Sequence, residues 1–206
     1  MSEQVMVVER EAVAHWLIER GMTQEHGDEL LEVVSERHFF IDRDTAERSP
    51  QYKQIIPYVL IRHGDSWFLL QRTHKQTETR LHHKLSLGIG GHINPDTPDL
   101  FDGLQKELEE EVNVASDYEL TFAGILNDDS TEVGKVHLGA VFVLETTEAL
   151  VTVRETEKMV GKWATRDELA GAREAMETWS QIVYDAIIAI PVVTPSAVRS
   201  DLPSSP

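Results

Sequence analysis

The 206-residue chain contains no cysteine. That absence excludes disulfides, thiolate metal sites and any mechanism built on a cysteine nucleophile. Basic residues are scarce: 19 Lys and Arg stand against 36 Asp and Glu, a formal net charge of −17. The pI falls near 4.8. A chain so charged repels phosphate backbones and anionic bilayers, which excludes nucleic-acid polymers and membranes as partners. The same field attracts divalent cations, and it opposes a phosphorylated substrate unless a metal bridges the two. Long apolar runs are missing too. The most apolar tract, residues 186–193, is eight residues long, contains Pro191 and is far too short to span a bilayer. Residues 1–5 carry neither a basic stretch nor an apolar one, so no secretory signal is expected and the cytoplasm is the expected compartment. There are no repeats or heptads.

What remains is the composition of a soluble globular protein with one ample core, 41% hydrophobic and 27% charged. Helical spacing of Val13, Trp16, Leu17 and Arg20 predicts a helix over 9–20, and Leu30, Leu31, Val33 and Val34 predict a second over 25–37. Residues 1–50 thus form an expected N-terminal helical extension that covers a sheet edge, makes a homodimer contact or shapes a pocket. Residues 51–193 form the expected main domain, and the Ser- and Pro-rich tail from Thr194 is expected to be disordered. Strands are predicted at 38–41, 54–61, 67–71, 85–89, 118–126, 136–144 and 159–164, with a tight turn at 63–65, a polar loop over 73–83 and a turn over 127–134. Asp99 is placed to cap a helix running to about Val112. Thr165 or Asp167 begins another, and residues 176–190 form a last one stopped by Pro191. This order of strands and helices predicts an α/β or α+β sandwich with a mixed sheet between helices.

Chemistry is spelled out in one place. Lys106 lies fifteen positions after Gly91 and opens Lys-Glu-Leu-Glu-Glu-Glu-Val-Asn-Val over residues 106–114. On a helix Glu107, Glu110 and Glu111 follow i, i+3, i+4 spacing and project from neighbouring positions. At about 6 Å and an effective dielectric near 20, each like-charge pair costs roughly 3 kcal/mol before relaxation and screening. A divalent cation offsets that cost, and Mg²⁺ favours carboxylate oxygens while keeping positions for substrate phosphates. A run of acids on a helix is usually a solvated face, but the helical phase argues otherwise here. With Leu104 at zero and ~100° per residue, Leu100, Phe101, Leu108 and Val112 fill an arc from about −40° to +80°. Glu111 falls inside that arc near −20°, with Glu107 at its edge near −60° and Glu110 near −120°. A carboxylate phased into a core-facing stripe is costly unless it is paired or metal-bound. Gly103, one turn before Glu107, leaves room for a loop or ligand. Three glycines in Gly88-Ile89-Gly90-Gly91 suit either a phosphate cradle or a bulge.

At these residues the chain resembles the Nudix (MutT-like) hydrolases, whose pattern is G-x5-E-x7-R-E-U-x-E-E-x-G-U, U being bulky and aliphatic. Gly91 takes the opening glycine, Glu107-Leu108-x-Glu110-Glu111 matches E-U-x-E-E, and Val114 takes the closing position. The likeness extends over roughly 55–170, through Trp67 to Arg72 upstream and Gly161 to Leu169 downstream. Three departures stand out. Lys106 replaces the arginine, Asn113 replaces the last glycine, and the loop is one residue longer, with Thr97 or Pro98 where a glutamate falls. Asp96 or Asp99 is the expected partner for Lys106. Asn113 is expected in the left-handed backbone that follows many helices.

The resemblance implies an α/β/α sandwich and a metal-dependent hydrolase that cleaves a diphosphate linkage in a nucleoside diphosphate derivative or a related small molecule. It implies Mg²⁺ (or Mn²⁺) held by the Gly91 carbonyl, Glu107, Glu110, Glu111 and a glutamate from a remote loop. That glutamate is Glu157, six residues before Trp163, with Glu155 its competitor. Either Glu107 or Glu157 serves as general base. Arg72, Lys84 and His92 are candidate substrate contacts. His82 and His83, being adjacent, face opposite ways on a strand and cannot share one ion. The cysteine-dependent isomerases of the same scaffold are ruled out, which leaves a catalytically weak nucleotide-metabolite binding or regulatory module as the alternative.

Overall fold

A computed structural model of the chain describes residues 2–72, 84–154, 156–157 and 159–190, without the side chain of Arg72. The expected loop at 73–83, with His82 and His83, lies outside them, as do Glu155 and the tail from Thr194. In chain order the elements begin with β1 (Gln4–Glu9), α1 (Arg10–Val13), a 3-10 turn at Ala14–Trp16, β2 (Arg20–Thr23), α2 (Gly27–Arg37), β3 (Phe39–Asp42) and α3 (Arg43–Ala46). There follow β4 (Tyr52–His63), β5 (Ser66–Arg72), β6 (Leu85–Ser86), β7 (Gly88–Ile89), α4 (Leu100–Glu111) and β8 (Val112–Val114). The remainder is β9 (Tyr118–Asp128), α5 (Glu132–Lys135), β10 (His137–Thr146), β11 (Val151–Val153), β12 (Met159–Thr165), α6 (Arg166–Ala172), α7 (Thr178–Val183) and a π turn at Tyr184–Ile188.

A mixed sheet runs β12-β5-β4-β10-β9-β2, with β1 and β7 also on β4, β3 on β1 and β6 on β5. Its centre is a parallel pair, β4 with β10, in register from Gln54 opposite His137 to Arg62 opposite Glu145. Parallel strands are buried on both faces, and β4 accordingly reads as a near-continuous apolar run. Ile55, Val59 and Ile61 enter one core with Leu30, Val34, Leu104 and Leu108 of α2 and α4. Tyr58 and Leu60 enter a second with Leu169, Ile182 and Val183 of α6 and α7. The chain is therefore an α/β/α sandwich around a mixed sheet. No helix among the described residues is long and apolar enough to cross a membrane.

Most expected strands are present. The β4–β5 turn is the two-residue loop Gly64-Asp65, where Gly64 takes the left-handed φ of 54°. Thr165 caps α6 with a full capping box. Four local expectations are corrected. Residues 9–20 are not one helix: Val5 to Val8, all buried, make β1 a sheet strand, and only one helical turn and a 3-10 turn follow. Sheet pairing with Phe39–Asp42 and Tyr52–Gln54 overrides the helical spacing of the next residues. The expected turn at 127–134 holds the start of α5, capped by Thr131. The last helix starts at Thr178 rather than 176, because Met176 is still extended and bridges Leu85. Phe101, phased into the apolar arc of α4, is 50% exposed, since in the first turn its ring meets the sheet only edge-on, against Phe142 of β10.

One buried cation pins the start of the parallel pair. Lys53 is fully buried, and its Nζ donates to Asn127 Oδ1 (2.7 Å), Asp129 Oδ1 (2.8 Å), the Gly134 carbonyl (3.0 Å) and the His137 carbonyl (3.1 Å). Burial pulls its pKa down, while Asp129 holds the ammonium charged. Arg10 braces the same carboxylate from β1's end. Removing one partner of a buried charge pair costs about 3 kcal/mol or more. Lys53→Met should therefore lower the unfolding free energy by that amount, read as a lower urea midpoint with an unchanged slope. An unshifted midpoint would show that the hub is not structural.

Candidate functional site

The site forms where the ladder on one edge of β4 is interrupted. β1 pairs with Tyr52–Gln54 and β7 with Val59 and Leu60, so residues 55–58 have no ladder partner on that edge among the described residues. Pro57, which has no N–H to offer a partner, sits in this gap. The segment from Gly90 to Asn94 crosses it. A Cβ on Gly90 would collide with the Pro57 carbonyl, so only glycine lets the segment lie this close. β1 holds the far end, where the Met6 N–H donates to the Ile93 carbonyl (2.8 Å) and Asn94 Nδ2 donates to the Gln4 carbonyl (2.8 Å).

Successive residues of this segment leave it on opposite sides. Gly91 and Ile93 face α4: a Cβ on Gly91 would overlap the Glu107 carboxyl group, and Ile93 packs where Gly103 lacks a side chain. His92 points the other way, to His137 on β10. α4 itself is set by its N-cap, Asp99, whose Oδ1 accepts from the Phe101 N–H (2.8 Å), and by burial of Leu100, Leu104 and Leu108. This phase carries Glu107 to the glycine turn.

Glu107 is half-buried, and its pKa is pushed up to about 7, first by burial and then by the charge of Glu110, with Lys106 opposing. Glu110 is exposed and Glu111 half-buried. Lys106 Nζ lies 3.6 Å from Asp96, the partner expected for it, while Asp99 is engaged as the cap. Asn113 differs from expectation. It lies in β8 opposite Thr152 of β11, and His26 alone among the described non-glycine residues has a positive φ. The chain leaves α4 extended at Val112 (φ −133°) because the β8–β11 ribbon takes it up.

The other expected residues are spread around this centre. Glu157 lies exposed in the turn before β12, three residues after Arg154, whose N–H donates to the Glu111 carbonyl (2.8 Å) at the end of α4. Arg72 ends β5 opposite Met159, and Lys84 is half-buried just before β6. Sequence reasoning missed Glu3, Arg43, Glu47 and His137. Glu3 accepts from Arg43 Nη1 (2.8 Å) and Asn94 Nδ2 (3.3 Å), and these contacts hold its pKa down. Its charge also reaches Glu107 and His92. Burial, then Arg43 and His137, lowers the His92 pKa to about 3, and burial lowers that of His137. No pattern around these residues marks them, because their approach depends on non-local pairing, of β1 with β3 and β4 and of β10 with β4.

Donor chemistry at the glycine turn suits a hard cation: carboxylate and carbonyl oxygens, with a cradle that a Cβ would fill. The group of three His, Asp or Glu side chains that converges among the described residues is Glu47, His92 and His137.

No family model matches the chain. Protein YmaB of Bacillus subtilis (strain 168) is 36% identical over 202 residues, covering 91% of this chain and 98% of YmaB. Among solved structures, Tm1382, assigned as a Nudix hydrolase, has a TM-score of 0.78 at 31% identity and covers 90% of this chain and 98% of its own. DR0079 of Deinococcus radiodurans shares the fold at a TM-score of 0.55 and 14% identity, covering 89% of this chain and 96% of its own.

Glu107 carries a testable sign. Its pKa is raised above the ordinary 4.5, so its contribution to stability is complete below pH 4.5 and is lost as pH rises through about 7. Metal-free protein should lose stability across that window, and Glu107→Gln should abolish the slope. Carboxyl NMR should show Glu107 titrating near 7, and lower in Glu110→Gln. Titration at 4.5 would mean that the carboxyl is open to water.

Proposed function

The chain belongs to the Nudix hydrolase family, and from that premise we propose that it hydrolyses a diphosphate linkage in a nucleoside diphosphate derivative or a similar small molecule, with Mg²⁺ or Mn²⁺ bound. The observation that carries this reading is the close approach of the Gly91 backbone to the Glu107 carboxyl, with Glu110 and Glu111 following on the same helix. The Gly91 carbonyl, Glu107, Glu110 and Glu111, with Glu157 from the turn beside the end of α4, would hold the cation. When bound, such an ion neutralises phosphate oxygens and lowers the pKa of its water.

The residues of the chain do the rest. Burial of Glu107 against the glycine turn keeps bulk water off one side of the reacting centre. Either Glu107 or Glu157 takes the proton of the attacking water. Arg72 and Lys84, on β5 and before β6, are the proposed contacts for the substrate phosphates. His92 is left out of this assignment because it faces the opposite side of the segment.

The test is product release from a panel of nucleotide sugars, dinucleoside polyphosphates, nucleoside triphosphates and coenzyme A, with and without Mg²⁺. At least one compound should turn over in a metal-dependent way. Glu110→Gln and Glu111→Gln should each lower kcat by about 100-fold or more, equivalent to roughly 2.7 kcal/mol of barrier, with the circular dichroism spectrum unchanged. Wild-type rates in both variants would overturn the assignment. Ligand binding without turnover anywhere in the panel would make the chain a nucleotide-metabolite binding module.

A further inference from the structure

We propose that Glu47, His92 and His137 form a second cation site, on the face of the sheet away from α4, that takes a transition metal of the zinc class. One ligand atom from each of the three lies within 4.8 Å of the others. His92 Nε2 and His137 Nε2 are 3.2 Å apart. Two imidazole nitrogens on one tetrahedral zinc, each ~2.0–2.1 Å from it, are separated by about 3.3 Å, so the rings already stand at chelating distance. Without an ion, one ring donates to the other; a cation would take the place of that hydrogen bond, with the His92 proton moving from Nε2 to Nδ1.

The surroundings favour ligation over a simple histidine pair. His137 Nδ1 lies 2.7 Å from the Val133 carbonyl, which only a protonated nitrogen can approach so closely, leaving the Nε2 lone pair turned to His92. A ring nitrogen anchored to a carbonyl behind the ligating one is the usual support of a metal-bound histidine. Gln54 stands directly opposite His137 across the parallel ladder, so its side chain leaves the sheet on the same face. It is fully buried, and neither its Oε1 nor its Nε2 has a hydrogen-bond partner among the described residues. That orphaned amide offers both a donor and an acceptor to a water on the ion, filling the fourth position that three protein ligands leave open.

The donor set also chooses the metal. Two imidazoles and one carboxylate suit zinc, cobalt or nickel, whereas Mg²⁺ requires oxygen. Arg43 lies nearby and opposes any cation, but its guanidinium is held by Glu3 (2.8 Å) and Glu47 (3.5 Å). The site would tie the residue after α3, the segment beyond Gly91 and the start of β10 to one another.

The experiment uses the full chain, stripped with chelator and then titrated with Zn²⁺ or Co²⁺ in millimolar Mg²⁺. One equivalent should bind, Co²⁺ should give the visible absorption of a tetrahedral site, and the melting temperature should rise. Glu47→Gln changes an exposed carboxylate, leaves the core untouched and should weaken Zn²⁺ binding at least tenfold. His137→Gln should abolish the cobalt spectrum, and Glu110→Gln, across the sheet, should leave both readouts unchanged. Binding that survives in both Glu47→Gln and His137→Gln, or that disappears in Glu110→Gln alone, overturns the site, as does an absence of binding in the wild type.

Discussion

The parallel pairing of β4 with β10 is the constraint on which the rest of the molecule depends. A parallel pair cannot leave a face to solvent, so each side of these strands must be covered. Here α2 and α4 cover one side, and α6 and α7 the other. Because side chains alternate along a strand, neighbouring apolar residues of β4 and β10 are committed to opposite cores, and a one-residue slip would exchange them. Lys53 fixes the register at its first residues by binding carbonyls and side chains from β9, α5 and β10 together. The segment that crosses the interrupted edge of β4 inherits the alternation. Gly91 and Ile93 meet α4 while His92 meets β10, and the chemistry of the two faces diverges from that single fact.

Departures from the family pattern become intelligible in the same frame. The end of α4 has no glycine because it needs none. Its last carbonyls are met by Arg154, whose backbone N–H reaches the Glu111 carbonyl and whose Nε reaches that of Val112 (3.0 Å). An arginine from the neighbouring ribbon therefore does what a left-handed C-cap does in other helices. Lys106 meets Asp96 at 3.6 Å, an exposed pair worth little energy, so the brace of the loop rests instead on the Asp99 cap and the contacts of β1 with Ile93 and Asn94.

Much of this was legible in the residues, and the parts that were not share a cause. Strands β4, β5, β9, β10 and β12 announce themselves by composition, and Asp99 and Thr165 by cap chemistry, because those signals are local. The phase of α4 puts Glu111 inside the apolar arc and Glu107 only at its edge; in the structure both are half-buried, and it is Glu107 that meets the glycine turn. Its burial comes from the glycine turn, which lies 16 positions earlier in the chain. β1 was missed although Val5 to Val8 are apolar and mostly β-branched, because the partners that make it a sheet strand, Phe39–Asp42 and Tyr52–Gln54, lie far along the chain. Glu3, Arg43, Glu47 and His137 followed it out of sight, since their proximity is made by non-local pairing alone.

Those four residues change how charge is distributed about the crossing segment. On the α4 side stand oxygen donors in a strongly acidic field. Two imidazoles kept neutral by burial stand on the other side, with Arg43 beside them. Glu3 lies between the two, neutralising Arg43 on one hand and raising the charge cost at Glu107 on the other. A hard cation gains most where carboxylates are crowded and loses where a guanidinium stands near. A nitrogen-seeking cation finds its donors only on the histidine side. The sheet thus sorts ligand chemistry by face, and it does so with one crossing segment of alternating residues and glycines where a side chain would close the gap.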